Sequence, residues 1–112
     1  MSIPERDWRQ LRQIKEKALD RYCQATLEHI REISDSAGTI GNHKAYLEIY
    51  SYMADRDELL SILFDDWRRS NARLMIMGWA THGLMTETEF AEFSDEMQAL
   101  VKAHTEYEFI KE

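Results

Sequence analysis

The sequence predicts an all-α fold, an antiparallel up-down-up bundle of three long helices with coiled-coil-like packing. Three observations carry this. The 112 residues include one proline and four glycines, with abundant Glu, Leu, Ala, Arg, Met and Gln, a helix-forming composition. Apolar residues recur in alternating steps of three and four along three stretches. Two short segments rich in turn and capping residues divide those stretches. At this length one domain is expected over residues 1–112, with enough apolar content (44%) to build a core.

The first helix is expected from about Pro4 to Ser34. Ser2-Ile3-Pro4-Glu5 reads as a capping box with proline pre-set for the first turn. Its apolar stripe steps through Trp8, Leu11, Lys15, Ala18, Tyr22, Ala25 and His29, so two members are polar. Asp35-Ser36-Ala37-Gly38-Thr39-Ile40-Gly41-Asn42 is expected to be a loop, with Asn42 as the next N-cap. It lacks the preceding strand and the Gly-Lys-Ser/Thr ending of a phosphate loop.

The second helix is expected over about 43–82. Tyr46, Tyr50, Met53, Asp57, Leu60, Phe64, Trp67, Asn71, Leu74, Gly78 and Thr81 keep one phase. A sustained 3.5-residue repeat argues for one helix of about 40 residues, roughly 60 Å long. The competing reading breaks it near Asp55, where Asp55-Arg56-Asp57-Glu58 offers a fresh capping box. His82-Gly83-Leu84 fits a Schellman end with Leu84 returning to Trp79. Thr86-Glu87-Thr88-Glu89 is a second capping box and opens the third helix, expected over about 87–110. Its seam is Phe90, Phe93, Met97, Leu100, His104 and Tyr107, and Ser94-Asp95-Glu96 is a point where a short first piece could separate. Short loops and antiparallel neighbours set the register: Trp8 level with Trp67, Tyr22 beside Asp57, His29 between Tyr46 and Tyr50, and His104 near Phe64 and Trp67.

Charge is uneven. The net charge is -7, and residues 84–112 carry eight acidic against two basic side chains. This sign opposes phosphate binding, and the arginines at 6, 9, 12, 68, 69 and 73 alternate with Glu5, Asp7, Asp65 and Asp66, so nucleic acid is not an expected partner. The opening residues have no apolar signal-peptide core, no run of about 18 apolar residues follows, and a single cysteine excludes a disulfide framework, so a cytoplasmic protein without membrane contact is expected.

No pattern assigns a catalytic residue, a cofactor or a metal. Cys23 has no histidine at a helical spacing that would activate it. His29 and His104 fall on seams but at levels roughly 25 Å apart, too far to share an ion. Lys15, His29, Asp57, Asn71 and His104 are instead expected to form a buried polar seam that fixes register. The second helix also outruns the first, and its projecting part is the most apolar stretch of the chain. Leu74, Met75, Ile76, Met77, Gly78 and Trp79, with Leu84 and Met85, are therefore the expected interaction surface. The function expected is protein–protein contact without chemistry of its own, as a homodimeric regulator or adaptor. The alternative is a small-ligand or metal-binding bundle, with His29 or His104 and the Tyr46/Tyr50 pair lining a pocket.

Overall fold

The computed structural model describes residues 3–112. Helix α1 spans Glu5–Asp35, close to its predicted bounds, with Pro4 at its N-cap and Glu5 and Asp7 in its first turn. Acidic groups there oppose the positive end of the helix dipole. The predicted capping box rests on Ser2, which lies outside the described residues. The expected loop is tighter than a loop: Ala37–Ile40 form the one-turn helix α2, and Gly41 at φ 98° reverses the chain. Helix α3 follows over Asn42–Leu60, capped by Gly41 rather than Asn42.

The single helix expected over 43–82 does not form, and it breaks well past Asp55. Ser61–Asp65 make a π-helical turn, Asp66–Arg68 leave the helix, Arg69–Asn71 make a 3-10 turn, and α4 restarts over Ala72–Thr81. Asp66 explains the break. Its carboxylate accepts from Arg68 at 2.8 and 2.7 Å and from the Asn71 amide at 2.6 Å, while its carbonyl accepts from the Arg68 backbone at 2.9 Å. A short acidic side chain that satisfies local donors competes with the helix ladder. The π turn also spends an extra residue, which rotates the buried stripe. Asn71, Leu74 and Gly78 were the expected seam; Ala72, Met75, Ile76, Trp79 and Ala80 are the residues buried.

Helix α4 ends as predicted. The Leu84 amide donates to the Trp79 carbonyl at 3.0 Å and Gly83, at φ 66°, donates to Ala80 at 3.4 Å, a Schellman pair. The Thr86/Glu89 capping box is complete and opens α5, Glu87–Ala91. The third helix expected over 87–110 is divided at Ser94, whose hydroxyl caps α6, Asp95–His104. Residues 105–112 are not helical. They return to the α4 end, where Glu108 donates to Ala80 at 3.0 Å, Ile110 donates to Met85 at 2.9 Å, and Phe109 stacks on Phe90 at 4.4 Å. The alternating Tyr107 and Phe109 suit an extended segment better than a helix.

The described chain is thus all-α, but its packing is not a plain three-helix bundle. α1 and α3 are antiparallel: Trp8 lies 5.0 Å from Trp67, the Tyr22 hydroxyl donates to the Arg56 carbonyl at 2.6 Å, and His29 lies 4.4 Å from Tyr52. The Trp8–Trp67 and Tyr22 levels match the expected register; His29 is displaced by about one turn. Residues 84–94 run back along α1, fixed by polar contacts in sequence: Arg21 to Glu89 and to the Leu84 carbonyl, Gln10 to the Glu89 carbonyl, Arg6 to the Glu92 carbonyl. Fully buried Asp7 closes the row, accepting from the Ser94 amide and hydroxyl at 2.7 Å each. The acidic final quarter is therefore tied to the first helix inside the chain by one ion pair, Arg21–Glu89, and by polar contacts.

The core gathers Leu11, Ile14, Ala18 and Tyr22 with Leu63, Phe64, Ala72, Met75, Ile76, Trp79, Phe93, Met97 and Val101. Gly78 makes one of its contacts possible. A Cβ there would stand 2.6 Å from Leu63 Cδ2, itself buried in the π turn. Gly78→Ala should cost about 1–2 kcal/mol in urea unfolding, because Leu63 must leave its packed position. Gly38→Ala, with nothing within 4 Å of its Cβ, is the control and should be neutral or slightly stabilising. Equal effects at the two sites would overturn this account of Gly78.

Candidate interaction surface

The expected surface at the α4 end is core. Met75, Ile76, Trp79, Leu84 and Met85 are buried, Met77 and Gly78 are half-buried, and Leu74 alone is well exposed, at 69%. The correction follows from the break at Asp66: once the helix turns, α4 lies along α1 and under α6 instead of projecting past them. The expected buried seam also fails to form. Lys15 is half-buried with its ammonium 4.0 Å over the Trp67 ring. His29 and His104 are exposed, Asp57 is exposed, and half-buried Asn71 donates to Asp66 in the turn. Residues 3–112 bring no three His, Cys, Asp or Glu side chains together as a metal ligand set. No described helix is long and apolar enough to cross a membrane.

Three of the arginines that alternate with carboxylates in the sequence are paired with them. Arg69 donates to Glu5 at 2.8 Å and to the Ile3 carbonyl, Arg12 reaches the same Glu5 at 3.3 Å, and Arg68 is held by Asp66.

Besides Ile62, Leu74 and Tyr107, the large apolar side chains left exposed lie on the arm made by the C-terminal half of α1 and the N-terminal part of α3. The hydrophobic core reaches only to Tyr22 on α1 and resumes at Leu63. Between them only Thr26, Ile33 and Ala45 are buried. A two-helix arm has no third layer to cover its sides. On one side Leu27, Tyr46, Tyr50 and Met53 are exposed by 49, 69, 72 and 42%, with half-buried Cys23, Ile30 and Leu60 beside them. At about 100° per residue the opposite side carries Glu28, Glu32, Glu48 and Asp55.

The α3 stripe explains this asymmetry. The α3 residues that face α1 are Ala45, Ile49, Tyr52 and Arg56, one position earlier than the predicted seam, which is regained at Phe64, 6.0 Å from Tyr22. Arg56 sets that phase: its Nε donates to Thr26 Oγ1 at 2.8 Å, a guanidinium nitrogen donates to the Tyr22 carbonyl at 3.2 Å, and its guanidinium lies 3.7 Å over the Tyr22 ring. The predicted seam of Tyr46, Tyr50, Met53 and Asp57 is thereby turned outward.

Near the base of the arm this side sinks into a groove of about 290 Å³, lined by Tyr22, Cys23, Thr26, Leu27, Met53, Arg56, Asp57 and Leu60. Burial pushes the Tyr22 phenol above its ordinary pKa, with Arg56 opposing, so it stays a neutral donor to the Arg56 carbonyl. Sequence reasoning named Tyr46, Tyr50, Met53 and Asp57 as one stripe but assigned it to the core; Leu27 and Arg56 had no signal of their own. Compared with protein-family models, with curated proteins and with solved structures, the chain shows no match.

Proposed function

We propose that this is a small cytoplasmic helical protein acting through protein–protein contact, as a regulator or adaptor, with the apolar side of the arm as its contact surface. One observation carries the reading: a stripe with coiled-coil spacing, Tyr46, Tyr50 and Met53, is left exposed by the chain's own helices and runs down to half-buried Leu60. Tyrosine and methionine suit such a surface, since tyrosine combines a large apolar body with a polar tip and methionine adapts to its neighbour. The groove opens onto the same face, so it belongs to the contact surface.

A photoreactive phenylalanine analogue placed at Tyr50 of the full chain, in the cells it comes from, tests this. Covalent protein adducts are expected from position 50 and not from the same analogue at Asp55, on the opposite side of the arm. Absence of adducts at 50, or equal yields at both positions, would overturn the reading.

A further inference from the structure

Resting on that reading, we infer that the occupant of the arm face is a second copy of this chain, docked about a two-fold axis so that two arms form a four-helix layer. The first reason is shape. The face has two unlike halves along α3. Toward the tip stand Tyr46 and Tyr50, both more than two-thirds exposed; toward the base lies the groove between Cys23, Leu27, Met53 and Leu60. An axis crossing the arm near Met53 sets the tyrosines of each copy over the groove of the other. A two-fold contact must be self-complementary, and a knob and a hollow on the same face, on opposite sides of one point, meet that requirement. The groove has room for an aromatic ring, since cavities of about 150 Å³ hold benzene.

The second reason is polar matching. Asp57 is the single carboxylate among the residues that line the groove. A phenolic hydroxyl carried in by the partner's arm would donate to it. Burying Asp57 against an apolar surface without such a donor would be unfavourable. The third reason is area. Leu27, Tyr46, Tyr50 and Met53 with their half-buried neighbours would bury roughly 500 Å² per copy, on the order of 1,000 Å² in total, the lower bound for a specific interface. The spacing by threes and fours also matches a helical occupant, and the antiparallel pairing of two such stripes completes the third and fourth helices that the arm lacks.

Sedimentation equilibrium of the full chain tests the inference. At about 100 µM the protein is expected to have twice the chain mass. Tyr50→Glu and, separately, Leu27→Glu should each weaken dimerisation at least about 30-fold, giving monomers of unchanged helical content, because both side chains are exposed in the single chain. Tyr50→Phe should weaken it about fivefold if its hydroxyl reaches Asp57. Asp55→Lys, on the polar side, should leave the mass unchanged. A dimer that persists in Tyr50→Glu and Leu27→Glu would overturn the location. A monomeric unmodified chain would overturn the second copy; adducts to other proteins at position 50 would then leave the interaction reading standing, and their absence would remove both.

Discussion

Trp79→Ala is expected to lower stability by about 4 kcal/mol, within the range for removing a fully buried aromatic. Trp79 is the largest side chain with no exposure, and its ring lies 5.3 Å from Phe64. Its indole Nε1 donates to the Leu63 carbonyl at 3.0 Å. That carbonyl sits just before the break at Asp66–Arg68, where the ladder can no longer supply a donor. Truncation therefore opens a cavity and also strands a buried acceptor. Trp79→Phe separates the two effects: most of the volume stays, the donor is lost, and about 1–2 kcal/mol should be lost with it. Urea unfolding of both variants measures the difference. A cost below about 1.5 kcal/mol for the alanine variant would mean that α4 does not pack as described.

Arg21→Met should cost about 2–3 kcal/mol near neutral pH. Arg21 holds Glu89 with two bonds, 2.6 and 3.1 Å, and donates to the Leu84 carbonyl at 2.9 Å. The pair is only 24% and 14% exposed, so its loss leaves a partly buried carboxylate without its cation, between the surface and fully buried cases. Glu89 is also the acidic half of the capping box that starts α5, accepting from the Thr86 amide at 2.9 Å. Burial by itself would raise the Glu89 pKa; Arg21 and the Thr86 amide outweigh it and hold the carboxyl below its usual 4.5. A carboxylate with a depressed folded pKa stabilises the fold above the unfolded value. That contribution is fully present above about 4.5 and disappears as pH falls through the folded pKa. In Arg21→Met the lowering by the guanidinium is lost while the Thr86 amide remains, so this part of the acid-induced loss should shrink. Stability curves of the unmodified chain and Arg21→Met that stay parallel below pH 5 would refute the coupling.

Much of the fold was legible from local chemistry. The bounds of α1, the Schellman end at Gly83 and the capping box at Thr86 depend on residues within one turn of each other, so the sequence displays them directly. The Trp8–Trp67 pairing was also readable, because it follows from a short connection between antiparallel helices and needs no detail beyond it. The C-terminal strap was less so. Tyr107 fitted the helical seam that runs through His104, but the extended form of residues 105–112 is fixed by bonds to Ala80 and Met85, which are distant in sequence.

By itself the sequence determined the all-α class, the first helix, the turn at 82–86 and the existence of an apolar stripe at 46, 50, 53 and 60. Which face that stripe occupies was a tertiary decision. Periodicity marks a stripe but carries no information about whether this chain or another surface covers it. Arg56, by bonding Thr26 and Tyr22 across the helix pair, rotated α3 by one residue and turned the stripe outward. The Asp66 turn did the opposite for Leu74 to Ala80. It folded α4 back along α1, so a segment apolar on nearly every side found α1, the π turn and α6 around it. Both outcomes rest on a side chain satisfying hydrogen bonds that the helix pattern alone does not reveal.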